Sequence, residues 1–266
     1  MATISLLSDF GLKDSYVAEM KAVILSICPE TRIVDVSHEI EKFNIRMGAF
    51  VLASAAPYFP KGSIHIAVVD HGVGTKRRPI LVETDHAIYV GPDNGLLMLS
   101  AKRQGINHVY HITNRQFMLP QVSRTFHGRD IFAPVAAHLA KGHAPLESGP
   151  EINDYVTPKF ARPSFGKNML SGEILHIDNF GNVVTNVSMS ELEKIGIKEG
   201  DTLRVKLKED MLKLKLCRAY GEVRPKQPLS IIGSYNFLEV SINQDNAAKR
   251  FKVEIGETVQ ISLFNY

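Results

Sequence analysis

The chain has 266 residues, 44% of them hydrophobic and 22% charged, with 31 basic against 28 acidic residues and a net charge of +3. That balance fits a globular protein of one large or two small domains with a sizeable core. It gives no sign of a nucleic-acid binder, no apolar run reaches the ~18 residues of a membrane span, and Cys28 and Cys217 form no CxxC pair.

Taken in chain order, the first residues, Met1-Ala2-Thr3-Ile4-Ser5, lack the charged region and cleavage site of a signal peptide, so a cytoplasmic protein is expected. Residues 4–7 form an apolar run that predicts a strand ending on Ser8-Asp9-Phe10-Gly11. Tyr16, Val17, Met20, Val23, Ile24 and Ile27 then recur at helical spacing. A strand over 32–36 and an Ala-rich helix over 45–58, stopped near Pro57 and Pro60, follow. Residues 64–69, 80–83 and 88–90 read as strands, 96–104 as a helix ended by Gly105, and 108–112 as a strand. A helix over 130–141 has Gly142 as its C-terminal stop. Such alternation predicts an α/β domain with a mostly parallel sheet flanked by helices on both faces.

The composition then shifts. Pro158, Pro163 and Gly166 fall in a stretch of little periodicity, which places a linker at 156–169 between a domain over 1–155 and a second over 170–266. In the second domain short strands are expected at 172–177, 183–187, 203–207, 212–217, 238–242 and 258–264, with one helix at 190–194. That pattern predicts a smaller all-β, barrel-like domain. Lysines crowd residues 206–215 but alternate with Leu203, Val205, Leu207, Leu212, Leu214 and Leu216, as in a half-buried hairpin with a solvated lysine face. No aromatics interleave them to stack on bases, so no nucleic-acid partner is expected.

Several segments carry chemistry-bearing residues at strand ends, where α/β sheets place their ligands. The run over 64–69 ends on Asp70-His71-Gly72-Val73-Gly74-Thr75-Lys76-Arg77-Arg78. A second run ends on Gly91-Pro92-Asp93-Asn94-Gly95, and Thr125-Phe126-His127-Gly128-Arg129-Asp130 sets a histidine on a loop before a helix. Arginine stays charged and stabilises an anion beside it, and histidine titrates near neutral pH. Asp70 and Arg77 read equally as a structural salt bridge. Asp14 reads as a helix N-cap, Phe43 as a core aromatic, and Asp178-Asn179-Phe180-Gly181-Asn182 as a hairpin turn.

Together these segments resemble the S-adenosyl-L-methionine (SAM) hydroxide adenosyltransferase family, relatives of the SAM-dependent fluorinase and chlorinase. The shared motifs are Ser8-Asp9-Phe10-Gly11, the acid-Gly-x-Gly turn at Asp70, Arg77-Arg78, Gly91 to Gly95, Phe126 to Asp130, Asp178 to Asn182 and Asn246-Ala247-Ala248. Their order spans almost the whole chain. The resemblance implies hydrolysis of SAM to adenosine and methionine, with Asp70, Arg77 and His127 as the catalytic set. It puts Asp9 on the ribose, Asp14 near the methionine end, Phe43 against adenine and Asn94 at the substrate. In the second domain it puts Asp178 on the α-amino group, Phe180 and Asn182 on adenine, Ser234 and Tyr235 at the methionine carboxylate, and Asn246 and Ala247 at the adenine edge. It implies SAM as substrate with no cofactor or metal, and a homotrimer with sites between subunits. The alternatives are a non-catalytic SAM or adenosine sensor and a SAM-dependent halogenase.

Two departures bear on this. His71 stands where the family usually has proline, which frees the backbone and adds a titratable group beside Asp70. The halogenating relatives look different around the first motif, and Asp70 is a charge that repels a halide. No phosphate-binding G-x-x-x-x-G-K-[ST], nucleophile elbow or H-E-x-x-H occurs.

Overall fold

The computed structural model describes residues 2–264. The chain divides into two compact units, Met1–Pro158 and Lys159–Tyr266.

In the first unit, β1 (Thr3–Ser8), α1 (Tyr16–Ile27), β2 (Arg32–Ser37), α2 (Ile45–Ala55) and β3 (Ile64–Val68) come first. They are followed by β4 (Pro79–Thr84), β5 (Ile88–Pro92), α3 (Met98–Arg103), β6 (Ile106–His111) and α4 (Ala133–Ala140). The described strands order as β2-β1-β3-β5-β4-β6. Strand β1 pairs parallel with β2 and β3, and β3 with β5, as the alternation predicts. Strand β4 instead runs antiparallel to β5 and β6. The reason is local: three residues join β4 to β5, which suffices for a hairpin, whereas a parallel crossover needs about a dozen.

Alternation along the central strands serves two faces. Ile4, Leu6, Ile64, Ile66 and Val68 pack in one core with Met20, Ile24, Val135 and Ala136, so α1 and α4, which pack on each other, cover that face. Each such side chain, fully buried, contributes about 1.5–3 kcal/mol. Helices α2 and α3 form the other packed pair. The intervening positions of β1 and β3 carry a buried polar pair, Ser5 Oγ and His65 Nδ1, 2.6 Å apart.

The helix expected over 130–141 is present, but its first turn is not α-helical. Residues Gly128–Phe132 form a single π-helical turn before α4. Pro134 lacks the N–H that would reach back to residue 130, and the Asp130 carbonyl accepts instead from the Leu119 amide at 2.9 Å.

The second unit holds β7 (Ser164–Gly166), β8 (Met169–Ile177), β9 (Val183–Thr185), α5 (Met189–Glu193), β10 (Thr202–Leu207) and β11 (Asp210–Cys217). Then come β12 (Pro228–Ile232), β13 (Leu238–Ile242), α6 (Ala247–Phe251) and β14 (Thr258–Leu263). Strands β8, β14, β10, β11, β12, β13 and β9 close into a seven-stranded barrel, because β14 pairs with β8, while β7 lies along β8 outside the ring. Leu203, Val205, Leu207, Leu214 and Leu216 are buried inside it, as the alternation with lysines predicts. Strands β7 and β12 and helix α6 were not expected from the sequence; β7 falls inside the stretch read as linker.

Candidate active site

Three catalytic candidates meet at the C-terminal end of β3. Asp70 lies two residues past the strand. Arg77 Nε donates to Asp70 Oδ1 at 3.2 Å, and Arg77 Nη2 donates both to Asp70 Oδ2 and, at 3.1 Å, to His127 Nδ1. The Asp70 and Arg77 side chains are 4% and 7% exposed. The Gly72 amide also donates to Asp70 Oδ1 at 3.2 Å. Gly74, at φ 74°, allows this loop to lie against the loop that carries His127: a Cβ there would fall 2.2 Å from the Arg124 carbonyl oxygen.

The Arg77 guanidinium lies 5.5 Å from the Phe132 ring centroid, and its Nη1 is buried with no hydrogen-bond partner. A buried unpaired donor of this kind costs about 1–3 kcal/mol. Burial, and then the charge of Arg77, hold the His127 pKa below the ordinary imidazole value. Because Nη2 donates to Nδ1, the neutral ring is assigned its proton on Nε2. Behind His127, Asp130 accepts from the Ser123 amide at 2.7 Å and from Arg129 Nε at 2.7 Å, and Arg129 reaches Glu19 at 2.8 Å. Arg78 turns away from this site to Asp93 and Asp154.

Asp9, just past β1, accepts from the Phe43 amide at 2.9 Å. Phe43 holds φ 65° and is 62% exposed, so the core reading of this ring is overturned. Its ring meets that of His71 edge-on, centroids 6.0 Å apart. Asp14 is exposed and does not cap α1; Ser15 takes the N-cap position. Asn94 acts within the loop: its Nδ2 donates to the Val69 carbonyl at 2.8 Å and its Oδ1 accepts from the Leu96 amide at 3.1 Å. It thereby ties the turn after β5 to the residue before Asp70.

In the second unit, a cavity of about 760 Å³ is lined by Asp178, Phe180, Asn182, Ser234, Tyr235 and Asn246, among others. Asp178 Oδ1 accepts from the Phe180 and Asn182 amides, both at 2.9 Å, and its Oδ2 from Asn182 Nδ2 at 2.8 Å. Phe180 is 80% exposed. Asn246 caps α6 by accepting from the Lys249 amide at 2.7 Å, so the expected loop at 246–248 is the start of a helix. Ala247 is fully buried in the barrel core, where no side-chain atom of it lines the cavity. Five lining residues escaped the sequence reading of the site: Tyr220, Glu239, Ile242, Gln244 and Asp245. Glu239 alternates on a buried strand like any core position, and Tyr220 lies in a turn without periodicity.

The histidines at or near strand ends are dispersed. His65 bonds to Ser5, His38 to Ser8 and Asp35, and His108 to Glu151. Among the described residues no group of three or more His, Cys, Asp or Glu is arranged to hold a metal ion.

Family models for the SAM hydroxide adenosyltransferase N-terminal and C-terminal domains match residues 4–149 and 172–260. A protein of Methanocaldococcus jannaschii named (R)-S-adenosyl-L-methionine hydrolase is 36% identical, over 97% of this chain and 95% of that protein. A fluorinase from an Actinoplanes species is more distant, 28% identical over 97% of each chain. The crystal structure of an uncharacterized conserved protein from Thermotoga maritima superimposes with a TM-score of 0.82 at 37% identity, covering 97% of this chain and 99% of that one.

Proposed function

The chain belongs to the SAM hydroxide adenosyltransferase family, and on that premise we propose that it hydrolyses SAM to adenosine and L-methionine. The observation that carries the reading is the linked Asp70–Arg77–His127 set at the end of β3. Water held beside Asp70 attacks C5′ in line with the C–S bond. As the C–O bond forms, the C–S electron pair leaves with the sulfur of methionine, and the Asp70 carboxylate accepts the proton that the water loses. The sulfonium leaves as a neutral thioether, so its departure needs no general acid. The work of the site is alignment and partial desolvation of the nucleophile.

Neutral His127 accepts from Arg77 Nη2 and, with Asp70, fixes the guanidinium's direction. Asp70 brings a negative charge to the nucleophile's position, which favours water over fluoride or chloride. Asp9 accepts from the ribose hydroxyls, and Phe43, exposed and tied to Asp9 through its amide, offers a face for adenine. Asn94 positions the Asp70 strand end rather than touching substrate. No metal or other cofactor takes part in this reading. The resemblance further supports a cytoplasmic homotrimer in which each site draws on two subunits. Incubating the purified protein with SAM in buffer free of added metal, and separating the products, tests the reaction. Adenosine and methionine support it; binding without turnover points to a sensor, and 5′-chloro-5′-deoxyadenosine in chloride buffer to a halogenase.

A further inference from the structure

The loop that carries His127 closes on one residue. Asp130 is fully buried, on the π-helical turn before α4. Its amide donates to the Phe126 carbonyl at 3.1 Å, and its carbonyl accepts from the Leu119 amide at 2.9 Å. Its Oδ2 accepts from the Ser123 amide and its Oδ1 from Arg129 Nε, both at 2.7 Å. Asp130 thus holds residues 119, 123, 126 and 129 together, and His127 lies inside that span.

Ser123 joins Asp130 to the imidazole. Its backbone hydrogen-bonds the His127 ring and pulls the ring's pKa up, as an acceptor does. The acceptor of a backbone is its carbonyl. His127 Nδ1 already accepts from Arg77 Nη2 at 3.1 Å, so the proton given to Ser123 is the one on Nε2. With both nitrogens engaged, His127 has no lone pair left for the proton of an attacking water, which leaves that proton to Asp70.

The far side of the Asp130 carboxylate is braced by α1. Arg129 Nη1 donates to Glu19 Oε2 at 2.8 Å, and Ser15 Oγ donates to Glu19 Oε1 at 2.6 Å. The Arg129 guanidinium lies 5.0 Å from the Phe126 ring centroid, and Phe126 meets the Phe10 and Tyr16 rings at 5.7 and 5.0 Å. Both groups facing the Asp130 side chain are donors. A carboxylate gives each an oxygen; an amide has only one to give. Burial raises the Asp130 pKa, but the hydrogen bonds from Arg129 and Ser123 outweigh it and keep the group ionised. Its charge reaches His127. Burial and then Arg77 lower the His127 pKa, and Asp70 and Asp130 act against them.

We infer that Asp130 is a positioning residue for the reaction: through the Ser123 backbone it holds His127 as the Nε2–H tautomer, with Nδ1 turned to Arg77. Its kinetic consequence rests on the proposed SAM-cleaving function. Its geometry does not.

Nitrogen-15 NMR of the histidines in the full chain reads the tautomer without substrate, with the His127 signal assigned by its loss in His127→Ala. Wild-type His127 shows a protonated Nε2 and an unprotonated Nδ1 above its depressed pKa. Asp130→Asn loses one of its two donors, so the tautomers mix. The His127 pKa falls further, because a charge that raised it is gone. In turnover of SAM, kcat falls about 10–100-fold, as for a misplaced group, while KM and the calorimetric Kd stay within about twofold of wild type. The acid limb of kcat, where His127 takes up its proton, moves to lower pH. Asp130→Ala, with no oxygen for Ser123, loses more kcat than Asp130→Asn. Wild-type His127 found as the Nδ1–H tautomer overturns the inference, even where both variants melt early. So does Asp130→Asn with an unchanged tautomer and titration, or with a kcat loss matched by an equal loss of SAM affinity. A wild-type protein with the expected tautomer that does not turn over SAM removes the proposed function instead.

Discussion

Arg77 is held by the Asp70 carboxylate and by His127 Nδ1, with its Nη1 left unpaired. Groups that act on a nucleophile only as it reacts should be visible in kcat rather than in ground-state affinity. Asp70→Asn and His127→Ala are therefore expected to lower kcat about 10²–10⁴-fold while calorimetric affinity for SAM changes little. Asp9→Ala removes contacts present before and during the reaction, so KM rises and kcat is largely kept. Parallel losses of affinity in all three variants would reduce the Asp70–Arg77–His127 set to a structural ion pair. The residue types and their positions at strand ends were legible in the sequence. Which nitrogen of His127 accepts, that Asn94 ties its turn to Val69, and that Asp178 builds its own turn, was not, because those facts depend on loops folding back within hydrogen-bond distance.

At the scale of elements, long periodic segments were readable: the strands of the first sheet, α1, and the lysine-faced hairpin of β10 and β11. The misses are elements that lack a sustained apolar period. Strand β7 has three residues, all exposed, so no apolar pattern marks it. Strand β12 follows Pro225 and pairs with β11 through a two-residue parallel ladder. Helix α6 is five residues long and announced only by its Asn246 cap. Beneath these elements, the β1–β3 contact carries a pH liability. Burial lowers the His65 pKa from 6.5 to about 4. The unfolded chain thus takes up this proton first as pH falls, and folding stability drops between pH 6.5 and 4, by about 3 kcal/mol at most. Above that window both states are neutral and this pH-dependent term vanishes. Denaturant melts across pH should show the acid slope in wild type and a shallower one in a Ser5→Ala, His65→Leu double variant. Identical slopes would clear His65 of the effect.

On the scale of the whole molecule, the proposed catalytic set lies in one compact unit, Met1–Pro158, and the large cavity with Asn182, Ser234 and Glu239 in the other, Lys159–Tyr266. A substrate as long as SAM has a use for both. If each site draws on two subunits of a trimer, an inactive His127→Ala variant and an inactive Asn182→Ala variant, dissociated and reassembled together, regain activity, because some sites then carry both native halves. A fully active monomer by light scattering, or mixed oligomers with no recovered turnover, would count against shared sites while leaving the chemistry intact. The chemistry itself is tested most directly by turning over SAM in ¹⁸O-labelled water, with no added metal, and weighing the adenosine by mass spectrometry. The account predicts one labelled oxygen, at the 5′-hydroxyl; adenosine formed without label, or no adenosine at all, would contradict it.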